Sequence, residues 1–370
     1  MTEGRYRRLA RHLSALGMGY PDEDGLEEIL MAGYSPEEVE VTLGMPNAVP
    51  PLQPVSVAAI SRQLGLPEAR LVPVLETMVQ KGLLFTGKTA DGERGYALQQ
   101  FGWGFPQSWF WGGEETPRAR DMADLVRRYH THEVFQKGYG GTGTRAYRFV
   151  PVGETALVHR HDGQQAVYPF HMMQDLIGQA GVIAVAHCPC RMIARLRGKG
   201  CEHPLEVCLK YDELAEYVID TGQGRRVSQD EALQIVRQSE ALGMVHLVDN
   251  ALEKVKHSCN CCPCSCWSVN SLRRRKIPRD SLMATYFLRD TDTERCTGCG
   301  ECVEVCPVAA LSMGTETPII DRDWCIGCGV CVSRCSNAAA ILEPRLEQMS
   351  RIPRDFEEQQ SRILREKGLR

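Results

Sequence analysis

Cys296-Thr-Gly-Cys299-Gly-Glu-Cys302-Val-Glu-Val-Cys306-Pro307 is followed by Cys325-Ile-Gly-Cys328-Gly-Val-Cys331-Val-Ser-Arg-Cys335. Both runs have the spacing Cys-x2-Cys-x2-Cys-x3-Cys. A thiol at every third residue, on a loop that Gly298, Gly300, Gly327 and Gly329 keep tight, lets three sulfurs converge on one small object. The fourth cysteine lies one helical turn later and points away from the other three. Zinc sites are built from paired Cys-x2-Cys knuckles, which two full runs of four do not match. The one departure between the runs is Ser336, where the first has Pro307, and it leaves every thiol in place.

This segment, Leu288 to Leu342, resembles a bacterial two-[4Fe-4S] ferredoxin. In that family the fourth cysteine of each run serves the other cluster. The resemblance implies one cluster on Cys296, Cys299, Cys302 and Cys335, and a second on Cys325, Cys328, Cys331 and Cys306. It also implies one-electron transfer at low potential, and so a redox partner protein.

The chain has 17 cysteines, and none precedes Cys188. Besides the eight above there are two groups, Cys188, Cys190, Cys201 and Cys208, then Cys259, Cys261, Cys262, Cys264 and Cys266. Free cysteine is usually a small buried hydrophobe. Nine of them crowded among Pro, Asn and Ser do not read as core packing. They allow two four-thiolate sites with one spare, or one composite site drawing on both groups. One or two further iron–sulfur clusters are the expected occupants, with zinc as the alternative. Adjacent Cys261 and Cys262 point in different directions, so a thiol facing away needs a partner in the other group. The two groups are therefore expected to converge on a shared centre. His187, His203 and His257 are read as hydrogen-bonding sulfur or backbone rather than as ligands.

Upstream the pattern changes. Ser35-Pro36-Glu37-Glu38 is a capping box with proline at the first helical position. A proline-rich linker over Pro46–Pro54 follows. Val55 to Gln99 reads as helix, turn, helix and hairpin, an order that resembles a winged helix-turn-helix. The second helix, from Pro67 to Lys81, carries two acids and two bases, too little positive charge to neutralise phosphates. Nucleic acid is therefore not expected as a partner. The basic runs Arg5–Arg11 and Arg273–Lys276 are read as solvated faces. Six aromatics between Phe101 and Trp111 are expected to fill a seam between domains. Gly138-Tyr-Gly140-Gly-Thr-Gly143 matches a dinucleotide-binding pattern. It lacks the strand before and the helix after that a pyrophosphate site requires, so no nucleotide is expected.

With 370 residues the chain exceeds one core. A net charge of −4 and 43% hydrophobic residues describe an ordinary globular protein. No apolar run approaches the ~18–20 residues that span a bilayer, and the basic start lacks a secretory signal. The thiol usage points to a reduced, cytoplasmic location. The expected architecture is α+β and multidomain. A helical, winged-helix-like part covers 1–100, an α/β Cys-rich middle 101–285, a ferredoxin-like part 286–342, and a solvated, charged helical tail 343–370. The order of parts resembles a group of iron–sulfur proteins of anaerobic bacteria. Three functions compete: an electron-transfer protein or redox-enzyme subunit, an enzyme whose Cys-rich centre is the reaction site, and an iron–sulfur-sensing regulator.

Overall fold

The fold is described from a computed structural model covering residues 4–369, apart from 103, 154–157, 160–164 and 167–171. For 158–159 and 165–166 only the backbone is described. Trp103 and part of the strand-like segment 145–158 therefore lie outside the described residues.

Three short helices, Arg5–Ser14, Leu26–Gly33 and Pro36–Leu43, open the chain. The capping box forms: Ser35 Oγ accepts from the Glu38 amide, and the Glu38 carboxylate accepts from the Ser35 amide at 2.7 Å. Next come helices Val57–Leu64 and Glu68–Gln80, with Gly65 between them in the left-handed region. Strands Leu84–Lys88 and Arg94–Leu98 pair antiparallel, and Val55–Ser56 adds to the second of them. The helix Glu68–Gln80 buries Leu71, Leu75, Met78 and Val79. The flanking charges are paired, Arg70 with Glu37, Lys81 with Glu38 and Arg94 with Glu76. Arg7 and Arg8 of the first basic run likewise meet Asp22, Glu27 and Glu40.

The aromatic stretch seals this helical front against the middle of the chain. Phe101, Phe105, Phe110 and Trp111 are buried. Phe101 alone meets Tyr20, Tyr129, His130, Phe135 and Tyr139 at centroid distances of 5.4–6.3 Å. Each such pair contributes ~0.5–1.5 kcal/mol beyond the area it buries. The glycine-rich stretch sits between helix His132–Tyr139 and strand Tyr147–Val150, in the reverse of the dinucleotide-binding order.

The middle is built on a six-stranded sheet. Its order is Tyr147–Val150, Val245–Asp249, His257–Cys261, Glu206–Tyr211, Ile183–His187 and Arg225–Arg226, with every neighbour antiparallel. Helix Gln229–Ala241, capped by Ser228, packs against helix Met173–Gly178 and the strand Glu206–Tyr211. Register decides where the thiols go. His257 lies opposite Lys210, Ser258 opposite Leu209, and Cys208 opposite Ala186. Because strand residues alternate faces, His257, Cys259 and Cys261 share a face, as do Cys208 and Lys210.

The ferredoxin-like segment is closed at its base by strands Phe287–Thr291 and Ala340–Pro344, paired from Phe287–Pro344 to Thr291–Ala340. The expected charged tail does form a helix, Phe356–Glu366, but it is not a solvated one. Phe356, Gln359, Gln360, Ile363 and Leu364 are buried, and Gln359 Nε2 donates to the Arg145 carbonyl at 3.0 Å. The helix is amphipathic: its sparse apolar residues recur at helical spacing and cover the core.

Candidate metal centres

In the ferredoxin-like segment each repeat is a loop, one turn of helix and a reversal. Gly298, Gly300, Gly327 and Gly329 all have positive φ, between 60° and 81°. At Gly327 the need is also steric, since a Cβ there would stand 2.1 Å from the Phe287 carbonyl oxygen. The one-turn helices Glu301–Glu304 and Val330–Ser333 follow, and then Ala309 and Ala338 at matching places with φ of 51° and 50°. Ser336 in place of Pro307 leaves this reversal unchanged.

The eight thiols line two cavities. Cys296, Cys299, Cys302 and Cys335 border one, and Cys306, Cys325, Cys328 and Cys331 the other. The fourth cysteine of each run thus faces the other run's triplet. Burial pushes the Cys328 thiol well up and Cys331 up to about 12, with thiols of the same cavity adding to both. Burial and neighbouring thiols thus disfavour the charged forms of Cys328 and Cys331, and an iron–sulfur core supplies the positive charge that offsets this. The donor sets therefore fit such clusters. Between the cavities lies Arg289, 2% exposed, which borders both. Its guanidinium bonds Thr291 Oγ1 and approaches Cys302 Sγ at 4.0 Å, while its Nε has no hydrogen-bond partner among the described residues.

The nine middle cysteines divide six and three. Cys188, Cys190, Cys208, Cys259, Cys261 and Cys266 line one buried cavity with Lys210, His257 and Trp111. Cys188 caps the helix that follows strand Ile183–His187, Cys208 sits in mid-strand, and Cys259 and Cys261 come from the neighbouring strand. Cys266 begins helix Trp267–Arg273. Around this ring the acidities alternate. Cys190 holds Cys188 below the ordinary thiol value, and Cys188 and then Cys266 push Cys190 well above it. Cys190 and Cys261 hold Cys266 well down, while Cys259 and Cys266 push Cys261 up. Cys208 and then Cys261 pull Cys259 to about 5, and Cys208 itself is pushed up to about 12 by Cys259 and burial. Each thiolate thus leans on protonated neighbours. Six thiolates cannot ionise side by side here without a cationic guest.

Two more groups serve the ring. His257 Nε2 stands 3.3 Å from Cys208 Sγ and 3.2 Å from Cys259 Sγ. Fully buried Lys210 has no hydrogen-bond partner among the described residues, and its Nζ lies 4.0 Å from the Trp111 ring centroid. Its charge opposes that of the thiolates. Lys210 escaped the sequence reading, although its position two residues after Cys208 was a usable signal.

The remaining three, Cys201, Cys262 and Cys264, gather with His203 so that all four donor atoms lie within 4.8 Å of one another, which sets His203 among the candidate ligands, against the expectation that it only hydrogen-bonds. Cys201 Sγ is 3.9 Å from Cys262 Sγ, and Cys264 Sγ is 3.6 Å from His203 Nδ1. Burial raises Cys201, but hydrogen bonds from Ser265 and the His203 backbone outweigh it and bring the thiol to about 6. Cys262 leaves the strand end in the opposite sense to Cys261, so the second cysteine group feeds both sites. His187 belongs to neither; its Nδ1 faces the Trp111 carbonyl at 3.2 Å.

The second basic run is also occupied. Arg273 Nη1 donates to the Pro307 carbonyl at 3.3 Å. Arg275 donates to the carbonyls of Val308 and Ala309 and stacks on Trp324 at 4.6 Å. Both thus hold the turn that follows Cys306, while the run Arg273–Lys276 stays exposed, as its charge led one to expect. Helix Trp267–Arg273 therefore starts at a thiol of the ring and ends against the residue beside Cys306.

Among known families, the 4Fe-4S binding domain matches residues 290–312 and again 318–340. No curated protein and no solved structure matches the chain. The two tandem matches coincide with the two cysteine runs, and residues 290–340 form a ferredoxin-type iron–sulfur domain.

Proposed function

We propose that the protein is an iron–sulfur electron-transfer protein or the electron-handling subunit of a redox enzyme. One [4Fe-4S] cluster is held by Cys296, Cys299, Cys302 and Cys335, and the other by Cys325, Cys328, Cys331 and Cys306. A further iron–sulfur centre is held within the ring of Cys188, Cys190, Cys208, Cys259, Cys261 and Cys266. Zinc is held by Cys201, His203, Cys262 and Cys264, a donor set common in structural zinc sites. Bound there, the iron–sulfur clusters supply one-electron transfer at potentials set by charge, hydrogen bonding and exposure.

The observation that carries this reading is the short bridge between ring and ferredoxin domain. Helix Trp267–Arg273 has seven residues. At ~1.5 Å of rise per residue it spans ~10 Å. Its start is fixed by Cys266 and its end by the Arg273–Pro307 bond. Arg279 adds a second clamp, donating to the Cys325 carbonyl at 2.7 Å. These contacts hold the two thiol sites at fixed separation, as an electron relay requires. Lys210 and Arg289 stabilise the negative charge that thiolate ligation and reduction bring.

The helix-turn-helix part serves as a packing or docking module. Arg70, Lys81 and Arg94 are engaged by carboxylates, which argues against phosphate binding and against the regulatory reading. The enzyme reading keeps one observation in its favour, because Cys190 of the ring also borders an open cleft.

A reductive titration under argon with EPR detection tests the proposal. It predicts two one-electron signals from the ferredoxin domain and at least one more that disappears in Cys261→Ala and Cys266→Ala. A reduced spectrum unchanged by both substitutions would mean that the ring holds no redox centre.

A further inference from the structure

Between the six-thiol ring and the Cys201–His203–Cys262–Cys264 site the surface opens into a cleft of about 490 Å³. That size falls within the ~300–1,000 Å³ of ordinary small-molecule sites. Cys190 and Cys264 both border it, and Phe135, Ile193 and Trp267 add apolar lining.

The charge of its walls is one-sided. Arg127, Arg197, Lys199 and Arg274 line it, and among the described residues no carboxylate does. Of these four, only Arg197 has an acidic partner among the described residues, Asp124 at 2.6 Å. The cations crowd each other: burial and then Arg197 and Arg274 hold the Arg127 guanidinium below its ordinary value. Packing like charges together without counter-ions costs stability unless a guest of opposite sign relieves it. Such a focused field also raises the local concentration of anions.

A second observation points the same way. His130, 4% exposed, lines the cleft, and neither of its ring nitrogens has a partner among the described residues. It is held by its faces and edges, with Trp267 at a centroid distance of 4.2 Å and Phe135 at 5.3 Å. A buried polar group without a partner costs ~1–3 kcal/mol. Both nitrogens are shielded from solvent, so the ring shapes the wall, and the His130 carbonyl accepts from Arg127 Nη1 at 3.3 Å. Ser271 and His132 also line the cleft, with Ser271 Oγ 3.0 Å from His132 Nδ1. The N-terminal turn of helix His132–Tyr139, capped by Thr131, opens on the cleft as well, and helix N-termini favour anions.

We propose that this cleft is a binding site for a small organic polyanion, an aromatic or apolar body carrying a phosphate ester or two carboxylates, seated between Cys190 and Cys264. The anionic groups meet Arg127, Lys199 and Arg274, and the body lies on Trp267, Phe135 and Ile193. The assignment goes beyond electron transfer and does not depend on which metal the thiols hold. It gives the molecule a place where a substrate or effector meets both thiol sites.

Calorimetric titration of the metal-loaded full chain with phenyl phosphate and, separately, phthalate tests the site and distinguishes the two anion types. At least one probe should bind, more weakly as salt rises. Arg274→Gln and Lys199→Gln should each weaken binding at least fivefold with iron and zinc content unchanged, and Arg62→Gln should not. Should either variant lose metal, the salt dependence and the other variant still decide. Binding of neither probe, or equal binding by wild type and both variants, would overturn the assignment. So would a short DNA duplex that displaces both probes through the same two residues.

Discussion

Replacing Arg289 by methionine removes a buried positive charge from between the two ferredoxin cavities while keeping most of the side chain's length. The guanidinium borders both thiol quartets and lies 4.0 Å from Cys302 Sγ. A unit charge at 4 Å interacts with another by ~4 kcal/mol at an effective dielectric constant of ~20. For a one-electron couple, ~1.4 kcal/mol corresponds to ~59 mV, so the ceiling is ~170 mV. Cluster charge is spread over many atoms, and a loss of roughly 50–120 mV is the expected range within that ceiling. The sign follows from charge alone. Reduction adds an electron, the lost cation had favoured it, and both potentials must fall, with the Cys296–Cys302–Cys335 quartet falling further. The assay is an EPR-monitored potentiometric titration under argon. Arg289→Lys keeps the charge, is expected to stay close to wild type, and separates electrostatics from misassembly. Unchanged potentials in Arg289→Met with clusters intact would refute the reasoning, as would a rise.

Gly327→Ala places a Cβ 2.1 Å from the Phe287 carbonyl oxygen at positive φ. It should cost several kcal/mol, at least the ~1–3 kcal/mol typical of backbone strain, and lower iron content by one cluster. Gly198→Ala, also at positive φ but in open space, should spare the iron. Cys264→Ala should abolish zinc binding without lowering iron, whereas Cys261→Ala should lower iron; paired zinc and iron assays read both. Burial holds His130 down to about 3, below the 6.5 of an unfolded histidine. The unfolded chain therefore binds its proton first, and stability present above pH 6.5 is lost as pH falls toward 3. Between pH 7.5 and 5.5 the loss is ~1.4 kcal/mol, read as a shift in urea midpoint that His130→Phe should abolish.

The ferredoxin domain was legible because its ligands are local. Spacing and glycines alone dictate where three thiols point, and the duplication repeats the message. The convergence of the two middle groups was legible in outline, since adjacent Cys261 and Cys262 must diverge. Their partition into six and three was not. It depends on the register that brings Cys259 alongside Cys208, and on the loop that returns Cys201 to Cys262, both non-local choices. Lys210 and Arg289 were hidden for a similar reason. A charged residue in a short strand reads as solvent-facing until the sheet shows which face is covered. Arg273 and Arg275 are exposed as the basic run suggested, but their carbonyl targets, more than thirty positions away, could not be read from it. The terminal helix was misread as fully solvated because Phe356, Ile363 and Leu364 are few among many charges, although their spacing puts them on one face.

Counting metal and sulfide in anaerobically purified protein tests the central claim most directly. At four iron per cubane the ferredoxin domain accounts for about eight iron and eight sulfide. With a cubane in the six-thiol ring the total rises to about twelve of each, with about one zinc at the three-thiol site. Cys261→Ala and Cys266→Ala should return the iron to about eight and leave the zinc in place. About eight iron in the wild type, unchanged by those two substitutions, would contradict the account.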